Sequence, residues 1–295
     1  MLGASIIFLA IAMAWVLWRE GSPSIRRHGF FGFLMGSTWD PVGGVHGARP
    51  FITGTLITSF SSLLIAFIPA VSAAVISAEY APSWLARIID TLIDLLAAIP
   101  SVVIGIWGIF VFAPFMRDRI YLPLSFWAAD HAPRLLPALG NPVSYNLTTA
   151  VIVLSFMIIP YITALTRDAI HLVPKDQREA AWALGATRWE VIRLAVLPYA
   201  RGGIAAGAVL SLARAVGETM AVAMLIGNAN NLPFRLFQPA TTMPAVIVNE
   251  FREAVEQMHY ASLMAVGLYL FIIAFIVNLA AASIQKRLSV GGRML

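Results

Sequence analysis

Long uncharged apolar runs, broken by polar stretches, set the pattern of this chain. Five lie at Leu2–Trp18, Phe51–Ala78, Leu95–Met116, Pro142–Thr166 and Tyr260–Gln285. A sixth, Gly202–Gly227, contains two charges, Arg214 and Glu218. Most of these runs reach the ~20 residues that a helix needs to cross a bilayer core. Lipid offers no partner to a bare N–H or C=O, so each run is predicted to be a helix that satisfies its own backbone. Period-two alternation, the mark of a membrane barrel, is absent. Pro69, Pro100 and Pro160 fall inside runs, where each removes a donor and predicts a kink. The first run has no charged lead and no small-residue cleavage site, so it reads as a retained span rather than a signal peptide. The expectation is an all-α polytopic membrane protein of about six transmembrane helices.

Composition narrows the function classes. The chain is 59% hydrophobic and 12% charged, against roughly 25% charged in soluble domains. It contains no Cys, which removes disulfides, Cys-ligated metals and thiol chemistry. The net charge of +5 does not point to nucleic acid, because membrane proteins gather Lys and Arg at their cytoplasmic ends and no basic stripe interleaved with aromatics is present. No G-x-x-x-x-G-K-[ST] occurs, so ATP binding through a P-loop is not expected, nor does any G-x-S-x-G or H-E-x-x-H. The histidines at positions 28, 46, 131, 171 and 259 are too scattered to suggest a metal site. Neither a cofactor nor an enzymatic activity is expected. Asn146-Leu-Thr148 matches a glycosylation sequon by chance.

Six spans place both termini on one side. Arg167, Lys175, Arg178, Arg188, Arg193 and Arg201 crowd the stretch between the runs Pro142–Thr166 and Gly202–Gly227. Setting that stretch inside makes both termini cytoplasmic, although Arg19, Arg26, Arg27 and Arg49 then lie in the first outer loop. The outer loops, Arg19–Pro50, Arg117–Asn141 and Asn228–His259, are too long to be simple connectors.

The segment Glu179–Pro198, EAAWALGATRWEVIRLAVLP, carries the densest local signals. Pro174 suits the first position of a helix, and Asp176 and Glu179 suit the positive end of its dipole. Gly185 suits the left-handed residue after a C-cap. Thr187 with Glu190 three residues on predicts a capping box, opening a second helix from Arg188 towards Leu197 that Pro198 should break or bend. The result is a helix, a tight corner and a second helix. Two uses stand open for it. A partner approaches at the small Ala180, Ala181 and Ala183 while Trp182 fills a groove, or the helices lie on lipid headgroups with Trp182 and Trp189 as anchors.

The spacing of Glu179-Ala180-Ala181, Gly185 and Leu197-Pro198 resembles the cytoplasmic loop of ABC importer permeases, except that Ala195 stands where Ile is usual. Four further stretches, Leu95–Phe115, Met157–Ile170, Ala213–Asn228 and Leu270–Ala281, are similar to the PstC-type permease subunits of phosphate ABC importers. The resemblance covers about residues 50–288. It implies a type I ABC importer permease fold at 51–288, a first transmembrane helix with its outer loop at 1–50, and a cytoplasmic tail at 289–295. It also implies a bacterial inner membrane location. The partners it implies are a PstA-like permease, two ATP-binding subunits that hydrolyse ATP, and a periplasmic phosphate-binding protein. Residues 171–200 become the coupling segment, with Glu179, Ala180, Ala181, Trp182 and Gly185 facing the ATPase. A permease for sulfate or molybdate, and a membrane component that reports phosphate status, are the alternatives.

The two charges of the sixth run sit four residues apart, on one face if that run is a single helix. Arg214 would then lie near the bilayer midplane, where an uncompensated charge costs at least ~2.5–3.5 kcal/mol. Its planar fork of donors matches phosphate oxygens. Glu218 would hold that fork, or the two would form a permanent ion pair locking helices together. The resemblance implies a role for both in translocation, and Thr219 adds a hydroxyl to the same pathway. Glu79, Asp90 and Asp94, near the inner ends of the second and third spans, read as solvated carboxylates.

Overall fold

The computed structural model describes residues 2–290. The last part of the expected tail, 291–295, lies outside the described residues. The chain opens with α1 (Leu2–His28) and α2 (Phe30–Met35). A two-stranded antiparallel hairpin follows, β1 (Trp39–Asp40) and β2 (Val45–His46), with Trp39 opposite His46. Then come α3 (Arg49–Val75), extended by a π turn at Ile76–Tyr80, and α4 (Ser83–Ala98). Helices α5 (Ser101–Trp107), α6 (Ala113–Met116) and α7 (Leu122–His131) are joined by π turns and followed by α8 (Leu136–Leu139). The remainder holds α9 (Leu147–His171), α10 (Lys175–Ala183), α11 (Arg188–Val191), α12 (Leu197–Gly217), α13 (Met220–Leu225), α14 (Met243–Glu250) and α15 (Gln257–Val290). Among the described residues six helical rods, some built from several of these elements, are long and apolar enough to cross a membrane: Ser5–His28, Arg49–Tyr80, Ser101–His131, Leu147–His171, Arg188–Gly217 and Gln257–Ala280.

The prolines divide into two kinds. Pro23, Pro69 and Pro160 lie within helices that continue past them. At Pro23 the carbonyl left without its usual donor is that of Arg19, and the Ser22 hydroxyl donates to it at 3.0 Å, a repair that lets α1 carry the arginines of the expected first outer loop. Pro100 does not kink a span as predicted. It sits in a break between α4 and α5, and Ile99 before it is extended, with ψ 127°. Proline pushes its predecessor out of the helical region, and here that effect wins. Pro198 does not break its helix either. The π turn at Ile192–Val196 ends just before it, and a widened turn accommodates the missing donor at Leu194. The helical rod that carries the fifth span therefore begins at Arg188, well before the apolar run at Gly202.

The long loops expected on the outer side are largely built. Arg19–His28 continues α1, Arg117–His131 is helical, and α14 occupies part of the third. Asn146 of the sequon is fully buried. Its side chain accepts from the Thr149 amide at 2.9 Å, capping α9, and donates to the Val143 carbonyl at 2.6 Å.

The chain divides into two compact units. One takes the chain up to Ser59 together with Ser101–Val153 and Val216–Phe275; the other takes Phe60–Pro100, Leu154–Ala215 and the chain from Ile276. In the first unit, Phe33, Trp39, Phe51, Met243, Leu263 and Tyr269 form an aromatic-rich core. Each large side chain so buried contributes on the order of 1.5–3 kcal/mol. Polar ties cross that core. Ser24 and Ser262 share a hydrogen bond at 2.8 Å, the Trp39 indole donates to Glu250 at 2.8 Å, and His259 meets the same carboxylate at 2.9 Å.

Three of the histidines that looked scattered come together here. The His46 ring lies 5.6 Å from His28 and 6.1 Å from His259, edge-on to Trp39. Burial, with the neighbouring His28 adding to it, holds His46 below the ordinary histidine range, so it packs as a neutral ring.

In the same unit α3 runs close against the start of α14. The Thr55 hydroxyl accepts from the Met243 amide at 2.9 Å, and a Cβ on Gly54 would collide with the Thr241 carbonyl oxygen. Gly54→Ala is expected to cost about 1–3 kcal/mol, as overpacking against backbone does. Thermal unfolding in detergent, followed by circular dichroism, checks it; an unshifted melting curve would contradict this packing.

Candidate functional site

The corner predicted between the fourth and fifth spans is present in the second unit. Helix α10 begins at Lys175, one residue later than expected, with Pro174 as its N-cap rather than its first residue. It ends in a paired closing motif in which the Gly185 amide donates to the Trp182 carbonyl at 2.9 Å and the Ala186 amide to Ala181 at 3.2 Å. Gly185 has φ +82°, and a Cβ there would meet nothing within 4 Å. Glycine is thus required by the left-handed backbone alone, where a side chain costs about 1–2 kcal/mol. Thr187 and Glu190 form the predicted capping box. The Thr187 amide donates to the Glu190 carboxylate at 2.7 Å, and the Glu190 amide to the Thr187 hydroxyl at 3.4 Å.

The corner's two faces differ. Its inner face packs on a cluster of Ala74, Val75, Ile170, Val173, Val191, Ile192 and Val196, against which Ala181 and Ala186 are set. Ala181 is half-buried and set against this inner packing. Glu179, Ala180, Ala183 and Gly185 are exposed. So are the large apolar side chains Trp182 (52%), Leu184 (89%) and Trp189 (54%).

Ionic ties, which the sequence did not reveal, hold the corner down. Arg178 donates to the Glu79 carboxylate at 2.7 Å, to the Val173 carbonyl at 2.7 Å and to the Ile170 carbonyl at 3.0 Å. Arg188 donates to the Glu79 carbonyl and lies over the Tyr80 ring, 4.8 Å from its centre. Asp90 accepts from the Ser77 hydroxyl at 2.6 Å and pairs with Arg167 at 3.1 Å. Glu79 and Asp90 are thus engaged rather than merely solvated. The six basic residues counted in this region were a signal that such acceptors exist, but spacing alone did not name them.

Arg214 lies in the last turn of α12, in the second unit. Its guanidinium is 4.3 Å from the centre of the Tyr161 ring, and the Tyr161 hydroxyl donates to the Ala97 carbonyl at 2.7 Å. A cation over an aromatic face gains about 0.5–2 kcal/mol, depending on solvent exposure. Within its unit the guanidinium makes no hydrogen bond or ion pair among the described residues, so the in-plane donors stay open to an anion.

The expected shared face with Glu218 is not formed, because α12 ends at Gly217. Glu218 and Thr219 leave the helix and belong to the first unit. Glu218 is buried, 9% exposed. The Thr219 hydroxyl donates to the Gly217 carbonyl at 3.1 Å, and its own carbonyl accepts from Ala223 at the start of α13. One apolar run thus holds two helices with a bend at Gly217–Thr219, and Arg214 stands near a helix end and not mid-helix.

Comparison with known proteins fits this architecture. The family model described as binding-protein-dependent transport system inner membrane component matches residues 70–290. The phosphate transport system permease protein PstC of Pasteurella multocida is 42% identical over 275 residues, covering 93% of this chain and 85% of that protein. PstC 1 of Mycobacterium tuberculosis is 39% identical over 254 residues, covering 84% and 75%. Among solved structures, a bacterial alginate ABC transporter bound to its periplasmic protein aligns with a TM-score of 0.63 at 17% identity, over 97% of this chain and 93% of that one. The inward-facing MetNI methionine ABC transporter aligns with a TM-score of 0.60 at 19% identity, over 80% and 93%. The fold is that of type I ABC importer permeases. The chain belongs to the family of inner membrane components of binding-protein-dependent transport systems.

Proposed function

We propose that this permease is the PstC-type half of an ATP-driven phosphate importer. The observation that carries the reading is the identity of 42% across 93% of the chain to a protein named a phosphate permease. The open guanidinium of Arg214 supports it, since a fork of donors suits an oxyanion. In this reading a PstA-like permease completes the pathway, two ATP-binding subunits hydrolyse ATP, and a periplasmic phosphate-binding protein delivers the anion. Both termini and the corner at 171–200 are cytoplasmic, following the dense positive charge there. Closure of the ATPases moves the paired corners together and switches the pathway from inward-facing to outward-facing. Phosphate released from the binding protein then passes Arg214, with Glu218 and Thr219 as further pathway residues. Binding at Arg214 must stay weak enough for release.

Complexes drawn from native membranes through a tag on this chain and reconstituted in vesicles test the reading. Uptake of labelled phosphate is expected to need ATP and the binding protein and to resist excess sulfate or molybdate. Competition by those oxyanions would reassign the substrate. Uptake that ignores ATP but collapses with a proton uncoupler would remove the importer mechanism.

A further inference from the structure

The ties of Glu79 reach well beyond what anchoring one side chain requires. Arg178 directly precedes Glu179, inside the exposed helix α10. Its fork reaches the Ile170 carbonyl in the last turn of α9, the Val173 carbonyl just beyond that helix, and the carboxylate of Glu79 in the π turn that extends α3. The Arg178 and Glu79 side chains are only 17% and 14% exposed. Arg188, the first residue of α11, holds the backbone and ring of the neighbouring pair Glu79–Tyr80. Both helices of the corner are therefore bound to Glu79, in the π turn that extends α3.

The corner also meets the helices through the apolar cluster under Ala181 and Ala186, which resists separation but permits sliding. The polar ties have direction and fix register. The π turn that receives them departs from the regular α ladder, a geometry often found where a helix takes up a local change. Asp90 binds the same turn through Ser77 and α9 through Arg167, so a displacement of the turn is shared by α3, α4 and α9.

We propose that Arg178 and Glu79 are positioning residues that form a drive link, passing displacement of the ATPase-docked corner into α3. The inference rests on the docking of an ATPase at this corner. Pushing or pulling on α10 moves the Arg178 fork, the fork moves Glu79, and the π turn carries the motion into the membrane part of α3. Without the ionic link the corner still docks but slides on its apolar bed, and ATP is spent with less movement of the pathway.

The test measures phosphate moved per ATP hydrolysed in reconstituted complexes, with retained ATPase quantified in the same preparations. Glu79→Gln keeps the shape and removes the charge. It is expected to retain the ATPase and its hydrolysis while transport per ATP falls roughly two- to thirtyfold, the span of coupling changes of this kind. The native chain has no Cys, so the double variant Glu79→Cys with Arg178→Cys offers a clean pair of thiols. It is expected to be uncoupled when reduced and to recover coupling when a short bifunctional thiol reagent bridges the two positions, a rescue that general loss of packing does not give.

Native transport per ATP in Glu79→Gln, or no gain on bridging, overturns the link. Loss of the ATPase from Glu79→Gln alone also overturns it, because the pair then shapes the docking surface instead. Absence of an ATPase from native complexes removes the docking reading itself, and the link with it.

Discussion

Arg214→Gln is expected to lower phosphate uptake by roughly 10- to 150-fold, the cost of losing charge-assisted hydrogen bonds worth about 1.5–3 kcal/mol, while the complex still assembles. The separation of those two effects follows from the geometry. Arg214 packs face-on against Tyr161 and, within its unit, makes no hydrogen bond or ion pair among the described residues. Little of the fold therefore depends on its charge, whereas an anion in the pathway depends on its in-plane donors. Gln retains an amide donor but offers neither charge nor fork. Arg214→Lys keeps a point charge without the planar fork and should fall between the two. Tyr161→Phe preserves the stacking ring and removes only the hydrogen bond to the Ala97 carbonyl, so uptake should stay near native. Labelled phosphate uptake in vesicles, with subunit content measured alongside, decides the matter. Native uptake by Arg214→Gln would sink the assignment, and native uptake with lost repression of phosphate-starvation genes would move the residue to signalling.

What the sequence disclosed and what it concealed follow from the range of the interactions. The corner was legible because its determinants are local. Thr187 and Glu190 are three residues apart, and the left-handed turn needs only Gly185. The spans were legible because a bilayer demands length and apolarity within one continuous segment. Ties between distant residues were not. Glu79 and Arg178 are 99 positions apart, and His28, His46 and His259 gather through folding of the whole first unit.

Hydropathy also could not show that the run Gly202–Gly227 is two helices. The bend at Gly217–Thr219 lies inside one apolar run, and Ala221, Val222, Ala223 and Leu225 on its far side are buried in their own unit. The opposite error occurred upstream. The polar first half of the rod at Arg188 looked separate from the span, because Pro198 suggested a stop that the π turn at Ile192–Val196 removes. Backbone repair of this kind leaves no mark in a hydropathy profile.

Trp182→Ala is expected to reduce retention of the ATPase by about 30-fold or more, the loss of at least ~2 kcal/mol that truncating a central aromatic anchor brings. The inner face of the corner is occupied by its own apolar cluster, and Ala181 is set against it. The outer face presents Trp182, Leu184 and Trp189 to solvent, with exposed Ala180 and Ala183 leaving room for close approach. Removing Trp182 takes nothing from the inner cluster, the Gly185 turn or the capping box, so the corner should keep its shape. Ala180→Arg, which fills the approach surface without touching that support, should act in the same direction.

Lipid headgroups are the competing occupant, and Leu184→Glu separates the two. On a membrane surface, a charge at this 89% exposed position would lift the corner without changing the purified complex in detergent. In a protein groove it would expel the ATPase in detergent as well. Pull-down of the ATPase from detergent-solubilised membranes reads all three variants, and native retention in every one of them would place the docking surface elsewhere on the chain.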